Sequence, residues 1–418
     1  MSRWRADRTW LAYRGAESFA MAIGWTLAPV YFVQEVGMDP LQLVLTGTFM
    51  EIAYFAFEVP TGVVADSYSR RTSVIVAQVI MGISLIVTGL VTSVPLILAA
   101  AALMGFGWTF KSGAIDAWVA DEVGPERLGR EYQRGAQVAR IFTLVGIAAA
   151  VGLALVDLWL PIVAGGLVLV ALGGLLVFVM PESEFVPAAP EELSALRSMT
   201  HTARRGGGLI RARPILLLIL GITFFGGMWS ESVDRLWEAH FLTNIGVPAF
   251  ADFSSIIWFG ILNAVAVVLA IVVAQPLSRR FANASWRGMT WSLFWLDGAM
   301  VAATLAFAFA GSFGVAVLAY WGICVARSLA GPVYSTWLNA NIEDSSVRAT
   351  VISMTNLGDS AGEWGGGPVL GVVGNAFGIR AALAAGAAAL TPALLLYGLA
   401  LRRDDESASF DVVPQVEG

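Results

Sequence analysis

The sequence is short of charge, cysteine and histidine. Of its 418 residues only 13% are charged, against roughly a quarter in an ordinary soluble protein, so water is not this chain's only solvent. One cysteine, Cys324, excludes a disulfide framework and a cysteine-rich metal site, and two histidines leave little material for an imidazole centre. No nucleophile-and-base pair or metal-ligand spacing stands out, so no cofactor is expected and the chain does not read as an enzyme. No basic domain remains outside the apolar segments, which excludes nucleic acid as a partner. The opening MSRWRADRTWLAYRG lacks a short apolar core with a small-residue cleavage site and reads as a retained cytoplasmic end.

What is abundant is apolar surface. Apolar residues make up 57% of the chain, enough for roughly twelve spans at about 20 residues each. Apolar stretches fall at about 9-36, 40-66, 72-92, 95-122, 136-157 and 161-180, and again at about 214-242, 250-277, 286-310, 313-341, 348-375 and 378-401. The expected fold is an all-α membrane protein of twelve transmembrane helices in two six-helix bundles. Residues 1-180 would form the first bundle and 214-402 the second, with a cytoplasmic linker at 181-213 and a cytoplasmic tail at 403-418. Within the linker, Glu191 and Glu192 precede Arg204, Arg205 and the Gly206 to Gly208 stop, the charge order of a short helix lying at the membrane face. With the N-terminus inside, the inner loops and tails hold twenty arginines and the outer loops only Arg380. A multi-pass protein of the inner (plasma) membrane follows, with both termini cytoplasmic, expected as a monomer whose partners are lipid, a small-molecule substrate and protons.

An internal repeat supports the count. VVADSYSRR at 63-71 and VVAQPLSRR at 272-280 share six of nine residues at a shift of 209, and the same shift carries Phe32 and Gly37 onto Phe241 and Gly246. Two parallel six-helix repeats are a transporter architecture.

Ionisable groups inside spans are costly and usually face a partner or a wet cavity. Basic residues sit in every third segment: Arg14, Lys111, Arg235 and Arg327 in segments 1, 4, 7 and 10. Acids accompany them at Glu17, Asp116, Glu231, Asp234 and Glu238, whereas, with Arg287 and Arg380 counted to the loops, segments 3, 6 and 12 carry no charge within their spans and segment 9 only Asp297. This period places one helix of each triplet on a polar interior. At about 1.5 Å per residue, Lys111, Glu231, Arg327, Glu51, Asp359 and Glu363 lie near mid-depth, with Glu17, Glu58 and Asp116 nearer the cytoplasm. Some of these charges can simply pair across helices, Arg14 with Glu17 and Arg235 with Glu231 or Glu238. Glu51, Asp116 and Asp359 have no basic neighbour one turn away. Rings on the same segments, among them Trp25, Trp108, Trp229 and Tyr334, can stack on a flat or cationic solute, although many rings must serve as anchors or packing.

The segment GVVADSYSRR, Gly62 to Arg71, pairs a small residue that permits close helix approach with Asp66, Arg70 and Arg71. It resembles the loop signature of the major facilitator superfamily, departing at Ser67 and Ser69. GFGWTFKSGAIDAWVAD, Gly105 to Asp121, resembles that family's fourth helix with its glycine pair and terminal aspartate. The resemblance implies a gate in which Asp66 bridges toward the start of segment 11 and Arg70 pairs with Asp121 in the outward-open state. FEVPTGVVAD, Phe57 to Asp66, is similar to the twelve-span drug:proton antiporters, including tetracycline and macrolide exporters. That likeness implies multidrug efflux and antibiotic resistance. Two features depart from it: Ala101 stands where that group has an arginine, and segment 5 lacks its Gly-Pro pair. Proton-coupled export of small lipophilic compounds is therefore expected, with Asp116, Glu231 and Asp359 ahead of Glu17, Glu51 and Glu58 as proton carriers. Arg14, Trp25, Trp108, Lys111, Trp229, Asp234, Arg235, Arg327, Tyr334 and Glu363 are the expected substrate-cavity residues. Uptake of a metabolite by the same fold, or a membrane receptor without a transport cycle, are the alternatives.

Overall fold

The computed structural model describes residues 5–187, 214–248, 255–342 and 348–410. The proposed linker helix and residues 411–418 of the tail fall outside them, while residues 403–410 continue the last helix. Twelve helical segments follow one another: α1 Ala6–Gln34, α2 Pro40–Ser67, α3 Arg70–Leu90, α4 Val94–Val123, α5 Pro125–Ala154, α6 Trp159–Val179, α7 Ile215–Ile245, α8 Ser255–Ser278, α9 Trp286–Ala308, α10 Phe313–Ala340, α11 Arg348–Phe377 and α12 Ile379–Arg402. Eleven are both long and apolar enough to cross a bilayer. The remaining one, α11, has 30 residues, about 45 Å of helix, and carries Asn356, Asp359 and Glu363, which line a cavity, and glycines, most of which pack on neighbouring helices.

Local chemistry sets the helix ends. Asp39 and Gln42 form a reciprocal capping box at the start of α2, and Ser69 accepts from the Thr72 amide to start α3. α1 is interrupted at Thr26–Leu27, where Pro29 cannot supply the next amide donor. α4 is interrupted directly after Lys111: Gly113 takes φ 69°, a left-handed conformation that a side chain resists. α5 starts eleven residues earlier than hydropathy indicates, because its first turns, Glu126 to Arg134, are helical but polar.

Small residues let the helices close on one another. Gly82 of α3 and Gly166 of α6 each face the other's carbonyl, and Gly165 faces Ala20 and Gly24 of α1. In the second half Gly362 of α11 abuts the Phe224 carbonyl of α7, and Gly386 of α12 abuts Ser232. The indoles of Trp229 and Trp337 donate to Thr304 and Thr290 of α9 at 2.9 and 2.8 Å, so buried ring nitrogens are satisfied within the bundle.

α1 to α6 pack mainly on one another, as do α7 to α12, and the two groups meet chiefly through α2 against α11, with α5 on α8 and α7 on α1 and α2. These meetings lie at the end remote from the chain termini. There the Leu41 amide donates to Asn375 Oδ1 at 3.0 Å, Gly371 lies on Leu41, and Gly374 lies on Pro40. Gly47 of α2 is set directly against the Glu231 and Arg235 side chains of α7, and Val151 of α5 fills the space beside Gly260 of α8.

Candidate functional site

Beneath this seal the halves enclose a cavity of about 400 Å³, within the range of small-ligand sites. α1 contributes Met21 and Trp25, α2 contributes Met50, Glu51 and Tyr54, and α4 contributes Met104 and Trp108. The second half contributes Arg235 from α7 and Asn356, Asp359, Ser360 and Glu363 from α11. One wall is thus aromatic and thioether, the other carboxylate and amide. Ser360 Oγ donates to Glu51 Oε2 at 2.8 Å across the junction of the halves, and Ser230 Oγ donates to Glu363 Oε1 at 3.3 Å. The Arg235 guanidinium is already committed to Glu231 at 3.2 Å, one turn away. No ion-pair partner stands beside Glu51, Asp359 or Glu363 among the described residues.

A second chamber of about 260 Å³ opens within the C-terminal half between α7, α9, α10 and α11. Asn356 and Asp359 line both chambers and so form the wall between them. Here Arg327 pairs with Asp234 at 2.5 Å and lies 5.8 Å from the Trp229 ring centroid. Deeper in, buried Asp297 of α9 and Tyr397 of α12 line the same chamber. Sequence reasoning passed over Asp297 and Tyr397 as site residues, although the isolation of Asp297 on an otherwise uncharged segment was a usable signal.

Behind the aromatic wall lies a third polar group. Glu17 of α1 accepts from Lys111 Nζ at 2.5 Å and Tyr13 Oη at 2.7 Å, and Arg14 Nη1 stands 3.6 Å away. Lys111 also sits 3.6 Å from the Trp108 ring centroid, so it braces a cavity wall without reaching the cavity. Both partners are buried. Lys111→Met is therefore expected to destabilise the protein by about 3–5 kcal/mol, because it strands a buried carboxylate. Glu17→Gln with Lys111→Met should recover much of that loss in thermal unfolding of the detergent-purified chain. Equal instability of single and double variants would refute the pairing's role.

Of the expected site residues, the cavity candidates Trp25, Trp108, Arg235 and Glu363 and the proton-carrier candidates Glu51 and Asp359 converge on the central cavity, and Trp229, Arg327, Tyr334 and Asp359 on the second chamber, whereas Arg14, Lys111 and Asp234, also expected in the cavity, line neither. Glu231 lies under the seal. Glu58 binds Ser112 at 2.7 Å beside the break in α4. Asp116 is exposed and lines neither chamber.

The loop after α2 is clasped within the first half. Arg70 binds Asp121, and its Nε lies 3.3 Å from Asp66. Glu182 accepts from Ser69 Oγ at 2.7 Å and from the Arg71 amide at 2.9 Å, while the Arg71 guanidinium reaches the Val177 carbonyl. Two expectations change. The Arg70–Asp121 pair, expected in the outward-open state, is made here while the remote end is sealed, and both partners belong to the first half. A methyl group at Gly62 would meet nothing within 4 Å, so the close helix approach expected there is absent. The start of α11, toward which Asp66 was expected to bridge, has its side chains outside the described residues.

Comparison with known proteins agrees with this architecture. The family model described as Major Facilitator Superfamily matches residues 15–363. The chain is 24% identical over 407 residues to the uncharacterized MFS-type transporter YxaM of Bacillus subtilis (strain 168), covering 96% of this chain and 97% of that protein. Among solved structures, a mutant of the nucleoside transporter NupG superposes with a TM-score of 0.79 at 12% identity, covering 94% of this chain and 99% of that one. A bacterial homolog of the human lysosomal transporter Spinster, inward-facing and occupied, gives 0.72 at 16% identity, covering 96% and 98%. A peptide transporter POT in complex with sulfate gives 0.73 at 15% identity, covering 95% and 94%. At such identities the structural likenesses speak for the fold alone.

Proposed function

The chain belongs to the major facilitator superfamily, and from that premise we propose that it exports small amphipathic organic molecules, preferentially cationic ones, in exchange for protons. The observation that carries this reading is the central cavity's composition. Trp25, Trp108, Tyr54 and three methionines offer a polarisable, adaptable surface, while Glu51, Asp359 and Glu363 face it without a cation of their own. A cationic solute would supply the missing charge. Protonation of one of these carboxyls would remove its attraction for the solute and release it, which links the two flows at one site.

Alternating access supplies the cycle: the seal formed by α2 and α11 would open as the opposite end closes. Leu41→Cys with Asn375→Cys, in a Cys324→Ser background, is expected to crosslink under mild oxidation and stop transport, with a reductant restoring it. A receptor or scaffold without a transport cycle would show no such loss of substrate movement.

The direct test is proteoliposomes with an imposed pH gradient and a panel of fluorescent compounds matched in size, some cationic, some neutral and some anionic. Cationic amphiphiles should accumulate in the acidic compartment, and an uncoupler should abolish accumulation. Accumulation in the alkaline compartment would make the carrier a symporter, and preference for anions would reject the charge assignment.

A further inference from the structure

Away from the cavity, the terminus end of the first half contains a hollow of about 540 Å³ between the start of α1, the end of α4, the first turns of α5 and the strand of chain after α6. Its walls carry Arg5, Arg127, Arg130 and Arg134 against Asp7, Glu122 and Glu131. Each acid already has a partner, although Glu131 Oε2 is buried without one. Asp7 pairs with Arg5 at 3.4 Å, Glu131 with Arg134 at 3.1 Å, and Glu122 Oε1 accepts the amides of Ser183 and Glu184. Arg127 and Arg130 are exposed and have no ion-pair partner among the described residues. The hollow therefore presents unspent positive charge to a ligand.

Its scaffold is fixed. Trp10 Nε1 donates to the Glu131 carbonyl at 2.9 Å, tying α1 to α5, and Trp118 Nε1 donates to the Pro181 carbonyl at 2.7 Å, tying α4 to the chain beyond α6. Arg127, Arg130 and Arg134 follow helical spacing and share one face of α5. The same face continues into Ile141 and Val145, apolar side chains that are 60% and 51% exposed. Seven residues separate Arg134 from Ile141, about 10 Å of helix, the step from headgroup depth into the acyl region.

We propose that this hollow is a binding site for an anionic phospholipid, its phosphate held by Arg127 and Arg130 beside the Arg134–Glu131 pair and an acyl chain laid along Ile141 and Val145. Guanidinium forks match phosphate oxygens in geometry and charge, and basic hollows at the membrane surface beside a helix bundle suit such headgroups. The apolar continuation distinguishes this ligand from a free anion, which would gain nothing from it.

The full-length protein, purified in mild detergent, is titrated with dioleoylphosphatidylglycerol, dioleoylphosphatidylcholine and inorganic phosphate, and bound lipid is read by native mass spectrometry. Phosphatidylglycerol adducts should form in preference to phosphatidylcholine and persist in millimolar phosphate. R127Q/R130Q should weaken phosphatidylglycerol binding by about thirty-fold, and R127K/R130K should retain most of it. If the double variant does not fold, R127Q and R130Q singly should each give about five-fold. Equal binding of the two lipids, unchanged binding in the glutamine variants, or complete displacement by phosphate as a soluble anion would each overturn the assignment.

Discussion

Glu363→Gln and Asp359→Asn are each expected to abolish proton-driven accumulation of substrate in proteoliposomes while leaving helix content and melting behaviour intact. Both carboxyls line the central cavity, and neither is spent on an ion pair among the described residues. Asp359 also borders the second chamber, where Asp297 and Tyr397 lie. A change of charge at Asp359 is therefore felt on both sides of α11. Exchange of labelled for unlabelled substrate without a gradient should persist in the variant that has lost only its proton carrier. Asp116→Asn is the contrast. Its carboxyl is exposed outside both chambers, so accumulation should survive that substitution. Full coupling in both Glu363→Gln and Asp359→Asn would move the proton site elsewhere, with Glu51→Gln the next variant to measure.

Gly47→Leu is expected to hold the remote end open and reduce transport by one to two orders of magnitude. Any side chain at Gly47 runs into the Glu231 and Arg235 side chains, and Glu231 in turn lies against Gly367 of α11. Overpacking of this kind costs about 1–3 kcal/mol. Because that cost falls only on the sealed state, it shifts the balance of the two states by roughly 5–150-fold. Maleimide labelling of Asn375→Cys reports the shift directly: the thiol should react faster in the Gly47→Leu background. Unchanged labelling would show that α2 and α7 do not meet here during the cycle.

Much of the fold was legible because each span obeys one simple rule, a run of apolar residues as long as the bilayer is thick. The rule fails where a helix outgrows the membrane, and so Glu126 to Arg134 of α5 were not read as helix. Charge periodicity found Arg235 and Arg327 and placed them with the acids around them. It could not show that Lys111 turns toward Glu17, a partner on another helix, rather than toward substrate. Helical spacing speaks only of neighbours on one cylinder. The break after Lys111 follows from Gly113, whose left-handed backbone a helix reading of the sequence does not anticipate.

Among the described residues, the ion pairs at Glu17, Asp66, Asp121, Glu131, Glu231 and Asp234 each join groups within one half. No ion pair among them joins the halves: at the seal these meet through glycine surfaces, one of them lying on the Glu231 and Arg235 side chains, and through an amide on an asparagine oxygen. Dissolved electrolyte has almost no purchase on such a joint. The carrier's rocking rate should accordingly stay nearly level from dilute buffer to brine, and warming or a change in bilayer stiffness should be what quickens or slows it.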